Sequence, residues 1–306
     1  MDCIICRYGE LALKGKNRNL FEKRLIKNMK DCLQRNKLVG DIINIRGRII
    51  INTTNANIID YIKNIFGLVS ISPAVVCSLD FDEIKSTANS VVENKLSQNL
   101  DKNKINSFRI SSSRSNKQFH LTSLDLDMKI GEFIMNKFNL KVSLKAFDLN
   151  LGIEIHDKAF VFTEKIKCPG GIPLGMSGNV CALIQNKNDL AAAWLMSKRG
   201  CIIYPVSMNA SSNKQEFVSS LANFTYGQNL DFELVTNNSE LNQFVKDHQC
   251  LALVSGTTLD NNSSFEKFNQ EFSDIDIPIL FPIIAYSDEE INFILIQINK
   301  QNSNVI

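Results

Sequence analysis

Pro169-Gly170-Gly171-Ile172-Pro173 divides this sequence into two grammars. Two prolines around a Gly-Gly pair suit a turn and neither a helix nor a strand interior. Beyond it, apolar runs predict strands at 180–184, 201–207, 231–236, 250–255 and 279–284. A helix is expected at 189–199, after the first of them, and Ser287 with Glu290 forms a capping box that opens a last helix. Alternation of this kind gives a doubly wound, mainly parallel α/β sheet.

Before the turn the pattern is α+β. Residues 3–6 predict a buried strand, and Asn17 opens a helix to about Gln34 with Leu20, Phe21, Leu25, Met29 and Leu33 on one stripe. A strand at 46–51 and a short helix at 56–65 complete a unit of ferredoxin-like character. A strand at 68–77 follows, placed at an edge because it carries Pro73. Then come a helix from Asp82 to Leu96, a strand at 107–111 and a polar loop at 112–121. Ser123 and Asp125 head a helix through Phe138, with Leu124, Met128, Ile130, Phe133, Ile134 and Phe138 mostly inward, and strands are expected at 149–155 and 159–164. The reading is a multidomain α/β and α+β chain divided as 1–66, 67–168 and 174–306.

The sequence of 306 residues contains no run of 18 apolar residues, so no spanning helix is expected. The opening MDCIICRYGE lacks a secretory layout, which points to the cytosol and to reduced thiols. Cys3 and Cys6 lie on one predicted strand and three residues apart, hence on opposite faces, which suits buried thiols rather than a metal pair. The histidines at 120, 156 and 248 have no metal-ligand spacing, so no metal is expected.

Charge is divided unevenly. Residues 1–170 hold 27 Lys and Arg against 18 Asp and Glu, net +9, whereas residues 171–306 hold 7 against 14, net −7. The basic part calls for a polyanion, and the acidic part argues against gripping phosphates there. Two segments concentrate the cations. Lys14, Lys16 and Arg18 fall within five residues, in a stretch from Lys14 to Lys37 with nine basic residues and two acids. Arg109, Arg114 and Lys117 sit with Phe119, His120, Thr122 and Ser123. Cations suit phosphates, hydroxyls suit phosphate and ribose oxygens, and Phe119 or His120 could stack a base. Phe119 and Thr122 suit a structural role equally well, and the Lys14–Arg18 stretch could instead join two domains.

In an open α/β sheet, ligands bind at the carboxyl ends of strands. The junction after the first strand of the third domain reads Gln185-Asn186-Lys187-Asn188-Asp189 and contains no glycine. A phosphate cradle needs consecutive backbone N–H groups turned toward one anion, which glycine permits and lysine does not.

These stretches together resemble the tRNA 4-thiouridine synthase (tRNA sulfurtransferase) family. The resemblance rests on Arg7–Arg18 (RYGELALKGKNR), Phe21–Leu25, Arg114–Ser123, Thr163–Lys167, Pro169–Gly175 and Ser177-Gly178. It implies a ferredoxin-like domain, an RNA-binding THUMP domain and a PP-loop ATP-pyrophosphatase-like domain. It also implies tRNA as partner, a homodimer, and in the family ATP and Mg²⁺ for adenylating a uridine before a cysteine persulfide delivers sulfur. The family's PP-loop reads Ser-Gly-Gly-x-Asp-Ser; here 185–190 read Gln-Asn-Lys-Asn-Asp-Leu, one residue shorter, with Asp189 alone in common. Phe281 stands where the family has an arginine, and the sequence stops before the family's catalytic cysteine segment.

The expectation is therefore a cytosolic tRNA-binding protein whose third domain is a degenerate ATP-pyrophosphatase, without a cofactor or catalytic residues of its own. One alternative is a divergent sulfurtransferase that uses ATP and Mg²⁺ and depends on Asp189. Another is an RNA-binding subunit of a modification complex, its acidic C-terminal domain docking a protein partner.

Overall fold

The computed structural model describes residues 1–10, 15–98, 105–208, 214–259 and 262–300. In chain order the strands are β1 (Cys3–Tyr8), β2 (Asp41–Ile45), β3 (Arg48–Asn52), β4 (Leu68–Cys77), β5 (Ser107–Arg114), β6 (Lys141–Val142), β7 (Leu149–Ile155), β8 (Ala159–Phe162), β9 (Ile166–Lys167), β10 (Asn179–Leu183), β11 (Ile202–Ser207), β12 (Glu233–Leu234), β13 (Cys250–Val254) and β14 (Ile279–Leu280). The helices are α1 (Arg18–Arg35), α2 (Ile58–Ile62), α3 (Phe81–Gln98), α4 (Ser123–Phe138), α5 (Lys187–Lys198), α6 (Lys214–Ala222), α7 (Asn238–Asp247), α8 (Asn262–Glu271) and α9 (Asp288–Lys300). None of the described helices is long and apolar enough to cross a membrane.

The chain forms two compact units. The first comprises Met1–Arg7, Val39–Ile59 and Ser70–Lys167. It is built on a mixed sheet in the order β2-β3-β1-β4-β8-β7-β5-β6, with β9 also on β4. Phe108, Ile110, Leu151, Ile153 and Ile155 face α3 and α4 residues such as Ile84, Val92, Leu126 and Ile130 in one core. Alternation makes this possible: the other face of β5 carries Arg109, Ser111 and Ser113, in register with Asn150, Gly152 and Glu154 of β7.

Two expectations change here. Pro73 does not mark an edge, because β4 lies between β1 and β8. β4 pairs with β9 at Ser70 and Ile71 and with β8 from Val75 to Cys77, so the proline falls where the strand changes partner and no ladder N–H is needed. The run from Arg46 is a turn before it is a strand. Gly47 adopts φ +83° between β2 and β3, in a tight hairpin that pairs Ile45 with Arg48.

The second unit comprises Tyr8–Leu38, Asp60–Val69 and Cys168–Ile306. Its five strands run in the order β12-β11-β10-β13-β14, and every pair is parallel. The β10–α5–β11 crossover expected from the pattern is present, and Ala191, Ala192, Ala193 and Trp194 of α5 are buried. The Phe66 ring lies 5.5 Å from Trp194 and 5.7 Å from Phe224, centring one core. The turn at 169–173 is held by hydrogen bonds from Gly67 N to Gly170 O (2.8 Å) and from Ile172 N to Lys198 O (2.9 Å). Gly171 takes φ +78°, and a Cβ there would lie 2.1 Å from Lys198 O.

Helix α1 packs in this second unit. Arg24 Nε and Asn28 Nδ2 donate to Leu174 O at 2.7 and 3.1 Å, Gly227 N donates to Asp31 Oδ2 at 2.6 Å, and Arg35 Nη2 donates to Gln228 O at 2.7 Å. The buried stripe is Leu25, Met29, Cys32 and Leu33; Leu20, expected inward, is 60% exposed. Leu124 and Met128 of α4 are likewise exposed, because the buried line of that helix runs through Leu126, Ile130 and Ile134.

Candidate nucleic-acid interface and nucleotide loop

The segment from Arg114 to Ser123 lies in the first unit, between β5 and α4. Arg109 and Arg114 are five residues apart on β5 and therefore face opposite ways. Arg109 lies on the face opposite the α3–α4 core, its guanidinium 4.0 Å from the Phe147 ring and its Nε donating to Asn150 Oδ1 at 2.7 Å. Arg114 points to the helix side. Its Nη1 donates to Phe119 O at 2.8 Å and to Leu121 O at 2.7 Å, so it clamps the loop from within. Phe119 is buried in the core and His120 is exposed, its ring 4.7 Å from that of Phe119. Lys117 is exposed.

Thr122 is the N-cap of α4. Its Oγ1 accepts from Asp125 N at 3.1 Å and its backbone N donates to Asp125 Oδ2 at 3.1 Å, which completes a capping box; its hydroxyl also donates to Asp125 Oδ2 at 2.6 Å. The Thr122 hydroxyl holds the Asp125 carboxyl below the usual range. This helix start therefore already has its anion, and Ser123 follows the cap as the first helical residue. Of the cation and ring candidates in this loop, Lys117 and His120 are exposed, and Arg109 lies on the sheet face opposite the α3–α4 core.

The other basic stretch lies in the second unit. Lys14 falls outside the described residues. Lys16 is exposed, and Arg18 belongs to an internal triad. Arg18 Nε donates to Glu22 Oε1 at 2.6 Å, Arg18 Nη2 donates to Tyr8 Oη at 2.9 Å, and Tyr8 Oη donates to the same Glu22 oxygen at 2.5 Å. Burial, and then the Glu22 carboxylate, push the Tyr8 phenol up to about 12. Glu22 and Tyr8 raise Arg18 in turn. Arg18 is thus paired within the second unit rather than a free cation.

A second network, which sequence reading did not single out, is buried in the first unit. Glu154 accepts from Arg7 Nε at 2.7 Å and Arg48 Nε at 2.8 Å, and His156 Nε2 lies 3.4 Å from it. Arg7 Nη1 also donates to Ser72 Oγ at 2.9 Å, and Ser115 Oγ lies 2.8 Å from His156 Nδ1. The network therefore reaches the start of the 115–122 loop. Its partners are 106 and 147 residues apart in sequence, so no local spacing could reveal them.

At the 185–189 loop, Asn186 caps α5. Asp189 Oδ2 accepts from Gln185 N and Asn186 N at 2.9 Å each, and Asp189 Oδ1 accepts from Gly256 N at 2.6 Å. Asn188 N donates to Asn186 Oδ1 at 2.8 Å. The donors at 185, 186, 188 and 256 thus already have side-chain oxygens. Asp189 is 4% exposed, and burial raises its carboxyl despite these donors. A Cβ on Gly256 would lie 2.4 Å from Asn188 C and Asp189 N, so that backbone closes directly over the loop. Phe281 packs 5.1 and 5.6 Å from the rings of Phe265 and Phe268, an apolar setting. No group of three metal-ligating side chains occurs among the described residues.

Two family models match, the ThiI ferredoxin-like domain over residues 3–72 and the THUMP domain over 79–164. The chain is 33% identical over 251 residues to the probable tRNA sulfurtransferase of Natranaerobius thermophilus, covering 77% of this chain and 60% of that protein. The chain belongs to the tRNA sulfurtransferase family. The probable tRNA sulfurtransferase of Alkaliphilus oremlandii is 28% identical, over 94% of this chain and 82% of its own length. Among solved structures, PH1313 from Pyrococcus horikoshii matches this family member with a TM-score of 0.88 at 28% identity, covering 98% of this chain and 100% of that one. A 4-thiouridine synthetase–RNA complex with bound ATP matches in fold, with a TM-score of 0.82 at 22% identity over 98% of this chain and 86% of that one. The 114–123 loop lies inside the THUMP match, and the 185–189 loop lies outside both models.

Proposed function

We propose that this sulfurtransferase-family chain binds tRNA and does not itself adenylate or thiolate it. The observation that carries the second half is the Asp189 carboxylate seated on the backbone donors of the nucleotide loop. Oriented N–H donors contribute about 2.7–4 kcal/mol apiece to an anionic transition state, and donors already bonded to a carboxylate cannot supply it. The residues present do not fit ATP and Mg²⁺ at this loop, so no reaction step is assigned there. All eight cysteines are buried free thiols, which suits packing rather than sulfur delivery.

The first half is supported by the THUMP match, the net +9 of residues 1–170, and the outward Lys117 and His120. Lys16, Lys117, His120 and Arg109 are the proposed contacts; Arg18, Arg114, Phe119, Thr122 and Ser123 are proposed to hold the surface in shape. The three-domain division, a homodimer, and a protein partner at the acidic half belong to the same proposal.

The test is equilibrium binding to tRNA with and without its 3′ end, at two salt concentrations, with ATP hydrolysis measured in the same samples. The expected result is salt-sensitive binding without ATP turnover. An ATP-dependent adenylated tRNA would overturn the reading, and light scattering on the same samples reads the dimer.

A further inference from the structure

The buried network around Glu154 ends on the loop that carries two of the proposed contacts. Ser115 is the first residue after β5, and its Oγ lies 2.8 Å from Nδ1 of His156. Ser115 N and Asn116 N donate to Ile155 O at 2.9 and 3.4 Å, and Ser115 Oγ reaches the same oxygen at 3.1 Å. Exposed Lys117 follows at once, and Gln118 N turns back to Asn116 Oδ1 at 2.9 Å. At the far end Arg114 holds the carbonyls of Phe119 and Leu121. The segment bearing Lys117 and His120 is thus tied at its end by Arg114 and at its start by the contact between Ser115 and His156.

His156 is itself held from beneath. The residue is buried, its Nε2 lies 3.4 Å from Glu154 Oε2, and its ring stands edge-on to Phe160 with centroids 5.9 Å apart. Glu154 is fixed in turn by Arg7 of β1 and Arg48 of β3. A carboxylate on the Nε2 side favours a hydrogen on that nitrogen. Nδ1 of the neutral ring then accepts from the Ser115 hydroxyl; in the protonated ring it donates to Ser115 Oγ, and the hydroxyl turns to Ile155 O. The bridge survives in both states. Arg7 and Arg48 lie within the ferredoxin-like match, whereas Ser115 and His156 lie within the THUMP match, so the chain of bonds joins the two.

We infer that Ser115 and His156 are positioning residues for RNA binding, through which the Arg7–Glu154–Arg48 cluster sets the path of the loop and so the placement of Lys117 and His120. The inference rests on the tRNA-binding reading and deepens it with residues that touch no RNA. Ser115 is exposed, so water can replace its bond to the ring at little cost to the fold. What the bond supplies is direction. A loop that must order itself on binding loses part of its contact energy to that ordering, and a loop held beforehand does not.

The test measures tRNA affinity at one salt concentration for the full chain and for S115A, H156F and S115A/H156F. Affinity is also read for S115A in a K117A/H120A background, and urea midpoints are read for every variant. S115A is expected to bind tRNA about two- to tenfold more weakly, the range of a single hydrogen bond, with the wild-type urea midpoint. S115T, which keeps the hydroxyl, is expected to retain wild-type affinity. S115A/H156F is expected to bind no more weakly than H156F, because the two side chains act through one bond. In the K117A/H120A background S115A is expected to change nothing, since the groups it positions are gone. Wild-type affinity in S115A and H156F would overturn the positioning role and leave the tRNA-binding reading standing. A loss in S115A that persists without Lys117 and His120 would make Ser115 a direct contact and overturn the role as well. A wild type that does not bind tRNA would overturn both.

Discussion

Glu154 is the residue on which the first unit's buried charge turns. Burial opposes its ionisation, yet the hydrogen bond with His156 and the guanidinium groups of Arg7 and Arg48 hold the carboxyl well below its ordinary value of 4.5. The sign follows from linkage. An unfolded chain protonates this group near pH 4.5, while the folded one refuses the proton. Its contribution is therefore complete above that pH and is lost as the pH falls further. Urea midpoints measured from pH 6 downward are expected to drop below pH 4.5 more steeply in the wild type than in Glu154→Gln. At neutral pH that variant leaves Arg7 buried without its partner, with an expected cost of about 3–5 kcal/mol. Equal acid slopes in the two proteins would show that Glu154 titrates normally.

At the scale of elements, two helix starts use the same motif to different depths. Thr122 and Asp125 cap α4 at the surface; Asn186 and Asp189 cap α5 with the carboxylate buried. Thr122→Ala is expected to cost about 1 kcal/mol, the usual value of an exposed cap. Asp189→Ala strands the N–H groups of Gln185, Asn186 and Gly256, and is expected to cost about 3 kcal/mol or more in a urea melt. A neutral Asp189→Ala would return that residue to a chemical role. The α5 start was legible as a strand–loop–helix junction without glycine. What filled it was not, because the third donor comes from Gly256, 67 residues away. Similarly, Arg114 reads as a free cation in sequence, and only the path of the loop brings the Phe119 and Leu121 carbonyls onto it.

Across the whole molecule the cysteines give one uniform reading. All eight are buried in the two units, and burial pushes the Cys3, Cys32 and Cys250 thiols up to about 12. Thiolate is therefore scarce at neutral pH. Native protein is expected to react with a thiol-alkylating reagent far more slowly than the urea-unfolded chain, which should take up eight labels, counted by mass. Rapid native labelling of any one cysteine would identify an accessible sulfur and reopen the question of sulfur transfer.

The sequence by itself determined part of the elements, among them α1, α3, α4, α5 and α9, and left β2, α6, α7 and α8 unassigned. Helical and alternating periodicity, the Pro-Gly-Gly-Ile-Pro turn and the Ser287–Glu290 box are local, because side-chain direction repeats with the backbone. It also determined the uneven division of charge. Tertiary structure decided which cations are available. Whether an arginine meets solvent or an internal carboxylate depends on chain segments far apart in sequence, as Arg7 and Arg48 show at Glu154. A charge is free only where the fold brings it no partner, and for Lys117 that depends on the path of the loop between β5 and α4.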